Sequence, residues 1–383
     1  MEVAVSPEHP ASSRGNRPRF APDNGFRKRL DERVAAYFAD TGRSPHGGWR
    51  MRLKTASMLA WFGASYAFLV FVASTWWQGV LGATSLAFAI AGIGFSIMHD
   101  ANHDAYSKHK LVNRLLERTL DMLGASSYIW RWKHNVFHHT YTNVEGADND
   151  IHLLPFARLA PTQPRRRIHR FQHLYMWALY GFTVYHMHFT EDFLNVKRGK
   201  VGPHHFPRPR GLRLFEVFAS KAFVLAWSLA IPMFFHTWWV VLAFYASLWF
   251  AVGIILGVVF QVAHCHDEAP FPEPDPVTNR IDNAWAIHQV ETTADFAPHN
   301  PLITWYVGGL NFQIEHHLFP KICHVHYPRL AGIVQDVCTE FGVRYTQFPS
   351  FVSAVASHGR MLRRMGTAPD ALPAAAATPA AAA

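Results

Sequence analysis

The chain has 383 residues, half of them hydrophobic and only 16% charged. Soluble proteins carry roughly 25% charged residues, so this deficit points to lipid contact. The net charge of +9 suits anionic partners such as lipid headgroups, and the apolar content argues against nucleic acid. Cys265, Cys323 and Cys338 form no CxxC pair and no disulfide framework, as expected for polar parts in a reducing compartment. Histidine stands out, with 25 residues against 27 for aspartate and glutamate together. Imidazole is the commonest metal ligand, so a metal site is the first hypothesis.

Residues 1–54 are polar, proline-rich and basic, with no cleavable signal peptide, and about the first 25 are expected to be flexible. Residues 55–99 contain no Asp, Glu, Lys or Arg, and neither do residues 222–266. Each run is about twice the roughly 20 residues that a transmembrane helix needs. Each breaks near its middle at an aromatic turn, around Trp76-Trp77 and Trp238-Trp239, where tandem tryptophans suit the membrane–water interface. Two helical hairpins, hence four transmembrane helices, are the expectation.

Between the hairpins, residues 100–221 form a polar and interfacial stretch. Residues 111–123 place leucines on one helical face and charges on the other. Residues 171–189 are uncharged but carry Gln172, His173, His186 and His188, which favours an interfacial or re-entrant helix over a fifth span. Residues 267–348 return to a polar region, and residues 349–383 end in a low-complexity Ala/Pro tail expected to be disordered. Basic residues cluster before the first hairpin (Arg50, Arg52, Lys54), between the hairpins (Arg131, Lys133, Arg165–Arg167) and after the second (Arg329, Arg344), while the hairpin turns carry none. The positive-inside rule therefore puts both termini and the middle region in the cytosol. The expected fold is an all-α, multi-pass integral membrane protein with four spans, interfacial helices and a cytosolic helical cap holding a di-metal site.

The chemistry lies in histidine clusters at the ends of these elements. His99 and His103 stand four apart where the first hairpin meets the cytosol, so an α-helix puts both imidazoles on one face. His134 and His138 repeat the spacing, and His139 points roughly 100° away on an ideal α-helix. His316 and His317 close a third cluster that begins at Gln313. His264 ends the second hairpin, with Gln261 one turn before it. Eight imidazoles exceed the three that a catalytic zinc takes, so two metals are the natural count, and no catalytic residue beyond the ligands is expected. Ligand type alone leaves zinc, copper, iron and nickel open. Gln313 and Gln261 are further ligand candidates, and Asp100, Asp104 and Glu315 are expected to orient ligand rings through their second nitrogen. His266 and His288 stand evenly between the site and a bland role. His324, His326 and His358 read as interfacial, core or solvated residues.

With these motifs in view, residues 59–348 resemble the membrane fatty acid desaturases and related hydroxylases. The three boxes match in order, as do the flanking hairpins and the stretches WRWKHNVFHHTYTN, HQVETTADFAP and GGLNFQIEHHLFPKICHVHYP. Residues 55–348 then form one desaturase domain. The resemblance implies two non-haem irons, dioxygen as oxidant, a long-chain acyl-CoA or acyl-lipid as substrate and formation of a cis double bond. Gln313 in place of a histidine is similar to the front-end branch, which acts between an existing double bond and the carboxyl end. No HPGG haem motif is present, so electrons are expected from a separate ferredoxin or cytochrome b5 with its reductase. Hydroxylation on the same site is the alternative chemistry, and a membrane metal transporter or sensor is a distant one. The latter would spread polar residues across the bilayer, whereas these histidines gather at one face.

Overall fold

The computed structural model describes residues 17–368. Four apolar helices, Gly48–Val72, Trp76–Asn102, Leu212–Met233 and Trp238–His264, contain 25, 27, 22 and 27 residues. At 1.5 Å of rise per residue, each exceeds a hydrocarbon layer of roughly 30 Å. They form the two expected hairpins, and the protein is a multi-pass integral membrane protein. The second span is the most enclosed, with 72% of its apolar window buried against 22% for the first. At the first turn, the Gln78 side-chain oxygen accepts from the backbone N–H groups of Ser74 (2.9 Å) and Thr75 (3.1 Å), capping the second span. Trp76, Phe234 and Trp238 are exposed at the two turns.

The spans start earlier than the uncharged runs. The first takes in Arg50, Arg52 and Lys54, and the third takes in Arg213, Glu216 and Lys221. Long basic side chains can lay their stems on apolar surface while the helix runs past the lipid layer. Lys221 is instead buried, and it is tolerated there because its ammonium lies 2.5 Å from the Asp192 carboxylate.

Antiparallel hairpins bring the starts of the first and third spans, and the ends of the second and fourth, to one end of the bundle. That end carries His99 and His264, and the cap is built over it. The cap contains Trp285–Glu291, Gln313–Leu318, Tyr327–Phe341 and Phe351–Thr367. An N-terminal helix, Phe26–Thr41, docks on it through Phe26, Leu30 and Val34, spaced at four residues and buried against Leu330, Val334 and Val337. Arg29–Glu340 (3.1 Å) and Arg33–Asp336 (2.9 Å) flank the contact.

Flexibility expected for the first 25 residues is corrected where it can be seen. Arg19–Ala21 pairs in parallel with Arg280–Ala284, because Phe20 packs beside Tyr141 and His288. Residues 1–16, and the Ala/Pro tail beyond 368, lie outside the described residues. The stretch 171–189 is not a span. It breaks into Gln172–Tyr180 and Thr183–His186, which lie against the fourth span. A Cβ at Gly181 would fall 2.3 Å from the Phe250 ring, so glycine permits that close approach. Residues 111–123 likewise divide into Lys110–Glu117 and Thr119–Met122, with Leu111 and Leu115 exposed as an interfacial helix requires.

Candidate metal centre

The last turns of the second span are π-helical, Gly94–Met98, and pass into His99–Asn102. The second histidine box lies on a longer π-helical stretch, Arg131–His138. A π-helix closes its hydrogen bonds at i to i+5 rather than i+4. This corrects the orientation expected for His139. Instead of pointing 100° away, it shares a face with His134, and their Nε2 atoms approach to 3.2 Å. The third box is the short helix Gln313–Leu318, wholly buried under the cap.

All eight box imidazoles are buried, none more than 5% exposed. They converge as two overlapping groups. His99, His103, His134 and His316 have ligand atoms within 4.8 Å of one another, as do His138, His264 and His317. His139 stands between them, grouped with His316 and His317, and its ring stacks on that of His317 at 4.2 Å. Gln313 joins the second group, its amide nitrogen 3.0 Å from His264 Nε2.

The rings are held from behind. Asp148 accepts from His138 Nδ1 at 3.1 Å, and Gln289 Oε1 accepts from His317 Nδ1 at 2.9 Å and from the Thr142 hydroxyl at 3.0 Å. Tyr327 OH lies 3.3 Å from His316 Nδ1. Trp130 stacks on His134 with centroids 4.2 Å apart. Asn143, at a positive φ of 59°, donates from its backbone to Asp148 and from its side chain to the His264 carbonyl. It thereby ties the second box to the end of the fourth span.

Forward-facing nitrogens test the fit to metal. His99, His103, His316 and His317 each leave Nε2 buried with no protein partner. Buried polar atoms of this kind cost about 1–3 kcal/mol each unless something binds them. Two metal ions would satisfy them, and a polar core without metal would not. Burial, and then the neighbouring imidazoles, hold His103, His134, His139, His316 and His317 well below the ordinary histidine pKa. His138 is the exception: burial lowers its pKa, but the Asp148 and Asp150 carboxylates together raise it above the ordinary value. Neutral imidazole is the form that binds metal.

Several expected neighbours sit elsewhere. Asp100 is 3.9 Å from His99 Nδ1, and its close partners are His324 Nδ1 (2.8 Å) and Cys323 (3.0 Å). Asp104 faces Arg131 and Asn113. Glu315 turns away from the rings towards Asp295 and Tyr345. Burial, reinforced by the Asp295 carboxylate, raises the Glu315 pKa well above the usual range. Gln261 reaches the backbone of Asp150 at 3.4 Å. His266 and His288 belong to neither imidazole group; both are buried, against Phe348 and Phe20. Asp148, Gln289, Thr142 and Asn143 were not singled out by sequence reasoning, although Gln289, Thr142 and Asn143 fall inside the quoted motif stretches.

Comparison with known proteins gives the same answer. Residues 74–349 match the family model described as fatty acid desaturase. The chain is 41% identical over 352 residues to the sn-1 linoleoyl-lipid 6-desaturase of Arthrospira platensis, covering 92% of this chain and 95% of that one. It is 40% identical to the Synechocystis protein of the same name, covering 91% and 98%. An acyl-lipid (8-3)-desaturase of Physcomitrium patens is 36% identical over 88% of this chain and 71% of its own length. Sequence match and imidazole geometry agree: the chain belongs to the fatty acid desaturase family, whose oxygen-dependent chemistry runs on a di-iron centre.

Proposed function

We propose that the enzyme is a front-end acyl-lipid desaturase that places a cis double bond near the carboxyl end of a polyunsaturated or monounsaturated chain, at position 6 for a linoleoyl substrate. The similarity over nine-tenths of the chain to two linoleoyl-lipid 6-desaturases carries this reading. Gln313, opening the third box beside His264, supports the front-end branch. Acyl-lipid is preferred to acyl-CoA because the most similar relatives reported above act on lipid-linked chains by name.

We assign one iron to His99, His103, His134 and His316, and the other to His138, His264 and His317, with His139 between them. When bound, such a pair supplies the oxygen activation needed to take hydrogen from an unactivated methylene. The residues of the chain do the rest. Burial keeps His103, His134, His139, His316 and His317 neutral, Asp148 and Gln289 fix ring orientation, and the spans exclude water from the reacting carbon. Both termini and the centre face the cytosol in this reading, supported by the basic residues around the hairpins. Electrons then arrive there from a separate ferredoxin or cytochrome b5 type carrier.

Expression in cells that supply linoleate and a compatible electron donor tests the reading. Fatty acid analysis should show γ-linolenate (a new bond at position 6) within membrane lipid. A new bond on the methyl side of the existing ones would refute the front-end assignment, and a hydroxylated chain would replace desaturation with hydroxylation.

A further inference from the structure

A cavity of about 830 Å³ opens outside the imidazole groups, where the first span begins. Its lining includes Trp49, Arg50, Lys54, His299, Trp305 and His324, with no aspartate or glutamate among the described residues that line it. Arg50 is exposed and rests over the Trp49 ring at 5.9 Å, with no carboxylate partner among the described residues. Lys54, one helical turn on, is only 5% exposed, with its ammonium 5.5 Å above Trp305 and 3.0 Å from His324 Nε2. The Asp100 carboxylate lies behind His324, outside the lining, and offsets part of the Lys54 charge, so the exposed Arg50 guanidinium carries most of the cavity's positive charge. The span's N-terminal end adds the positive end of its dipole to the same place.

The rim has the opposite character. Trp49 is 67% exposed and Leu53 60%, and both lie on the first turns of the first span. A free anion would use only the basic floor, and an apolar ligand only the rim. An amphipathic anion uses both, and each basic residue near a membrane surface contributes about 1 kcal/mol towards anionic lipid. We propose that this cavity seats the phosphate headgroup of an anionic glycerophospholipid, with Arg50 and Lys54 on the phosphate and the acyl chains running down past Leu53. This site is independent of which acyl bond the enzyme oxidises.

Retained lipid is the readout. The full chain, purified in mild detergent from membranes of phosphatidylcholine with a minor share of phosphatidylglycerol, is examined by native mass spectrometry. The wild type should keep phosphatidylglycerol selectively. Arg50→Glu should lower that retention roughly tenfold or more, the worth of one charge-assisted contact, and Arg50→Lys should restore it. Arg50 is exposed, so the variants should keep their iron and their elution volume; Arg50→Gln gives a second reading should the reversal of charge disturb folding. Lys108→Glu, another exposed basic residue near the bundle end, should leave retention unchanged. Equal loss in Lys108→Glu would mean diffuse surface attraction and overturn the site. Wild-type retention in Arg50→Glu and Arg50→Gln, equal retention of phosphatidylcholine, or displacement of the lipid by excess inorganic phosphate would each overturn it as well.

Discussion

The two imidazole groups are built differently. The group of His99, His103, His134 and His316 is held mainly by ring packing: Trp130 stacks on His134, and His99 lies 4.4 Å from His316 between ring centroids. Its back-side hydrogen bonding is sparse, with Tyr327 OH 3.3 Å from His316 and Asp100, at 3.9 Å from His99, beyond hydrogen-bond range. The group of His138, His264 and His317 is held by polar contacts instead, from Asp148, Gln289 and Gln313. Ring packing fixes position without adding electron density to the ring, whereas a carboxylate behind the ring makes it more electron-rich. Two metals held by these groups would therefore stand in unequal fields although their ligands are nearly all of one type. Such asymmetry can give two irons different roles in handling one oxygen molecule.

The largest effect should come from residues in the trio His139, His316 and His317 that links the two groups. His316 and His139 fall in overlapping groups, so His316→Ala or His139→Ala should remove both irons and abolish the unsaturated product. The protein should remain in the membrane, because the spans do not depend on metal for insertion. Iron analysis beside fatty acid profiles checks this. If one iron survived in either variant, the two groups would be independent rather than shared. His205→Ala, at an exposed position, should leave the product unchanged.

The next effect tests the asymmetry itself. Asp148→Asn keeps the shape but removes the charge behind His138, and should weaken metal at the second group by about 10–100-fold. Tyr327→Phe, behind His316, should cost far less, since that contact is long. Metal titration of the purified variants distinguishes them, and equal losses would erase the contrast between packed and hydrogen-bonded groups.

Acid should act broadly and more weakly. His103, His134, His139, His316 and His317 all have pKa values depressed by burial, so the folded state binds fewer protons there than the unfolded chain. Their contribution to stability is complete above the free-histidine value of about 6.5 and is lost as the pH falls from there towards their depressed values. Iron retention, which needs the same neutral rings, should fall in that direction too. Loss of iron on raising the pH from 6.5 to 8 would contradict the sign.

How far the sequence carried this reading depended on the kind of signal. Uncharged length is a local property, so the four spans, and the end of the bundle where the histidines meet, followed from it directly. The box imidazoles were legible by type and spacing. His139 was misaimed because spacing was converted with an α-helical period, and nothing in Arg131–His138 announces a π-helix. Asp148 and Gln289 were missed because they orient ligands from distant elements, and aspartates closer in sequence, Asp100 and Asp104, drew the assignment instead. His324 and His358 illustrate the same limit. His324 is buried between Lys54 and Asp100, and His358 bonds Tyr180 at 2.7 Å, fastening the C-terminal helix. His358→Ala should therefore destabilise that packing.

The smallest effect sharpens the comparison most finely. Gln313 touches His264 from the third box, so it sets an amide among the imidazoles of the second group. An amide oxygen is a weaker donor to metal than imidazole, and rotating the amide presents oxygen where nitrogen now lies. Gln313→His should then keep the product but change its rate by about tenfold or less, the scale of a tuned neighbour rather than of a lost ligand. Gln313→Ala should impair activity more, because it leaves a gap beside His264 and removes the polar partner. If Gln313→His and Gln313→Ala both matched the wild type in rate and in bond position, the glutamine would be a packing residue. The asymmetry of the centre would then rest on Asp148 and Gln289 alone.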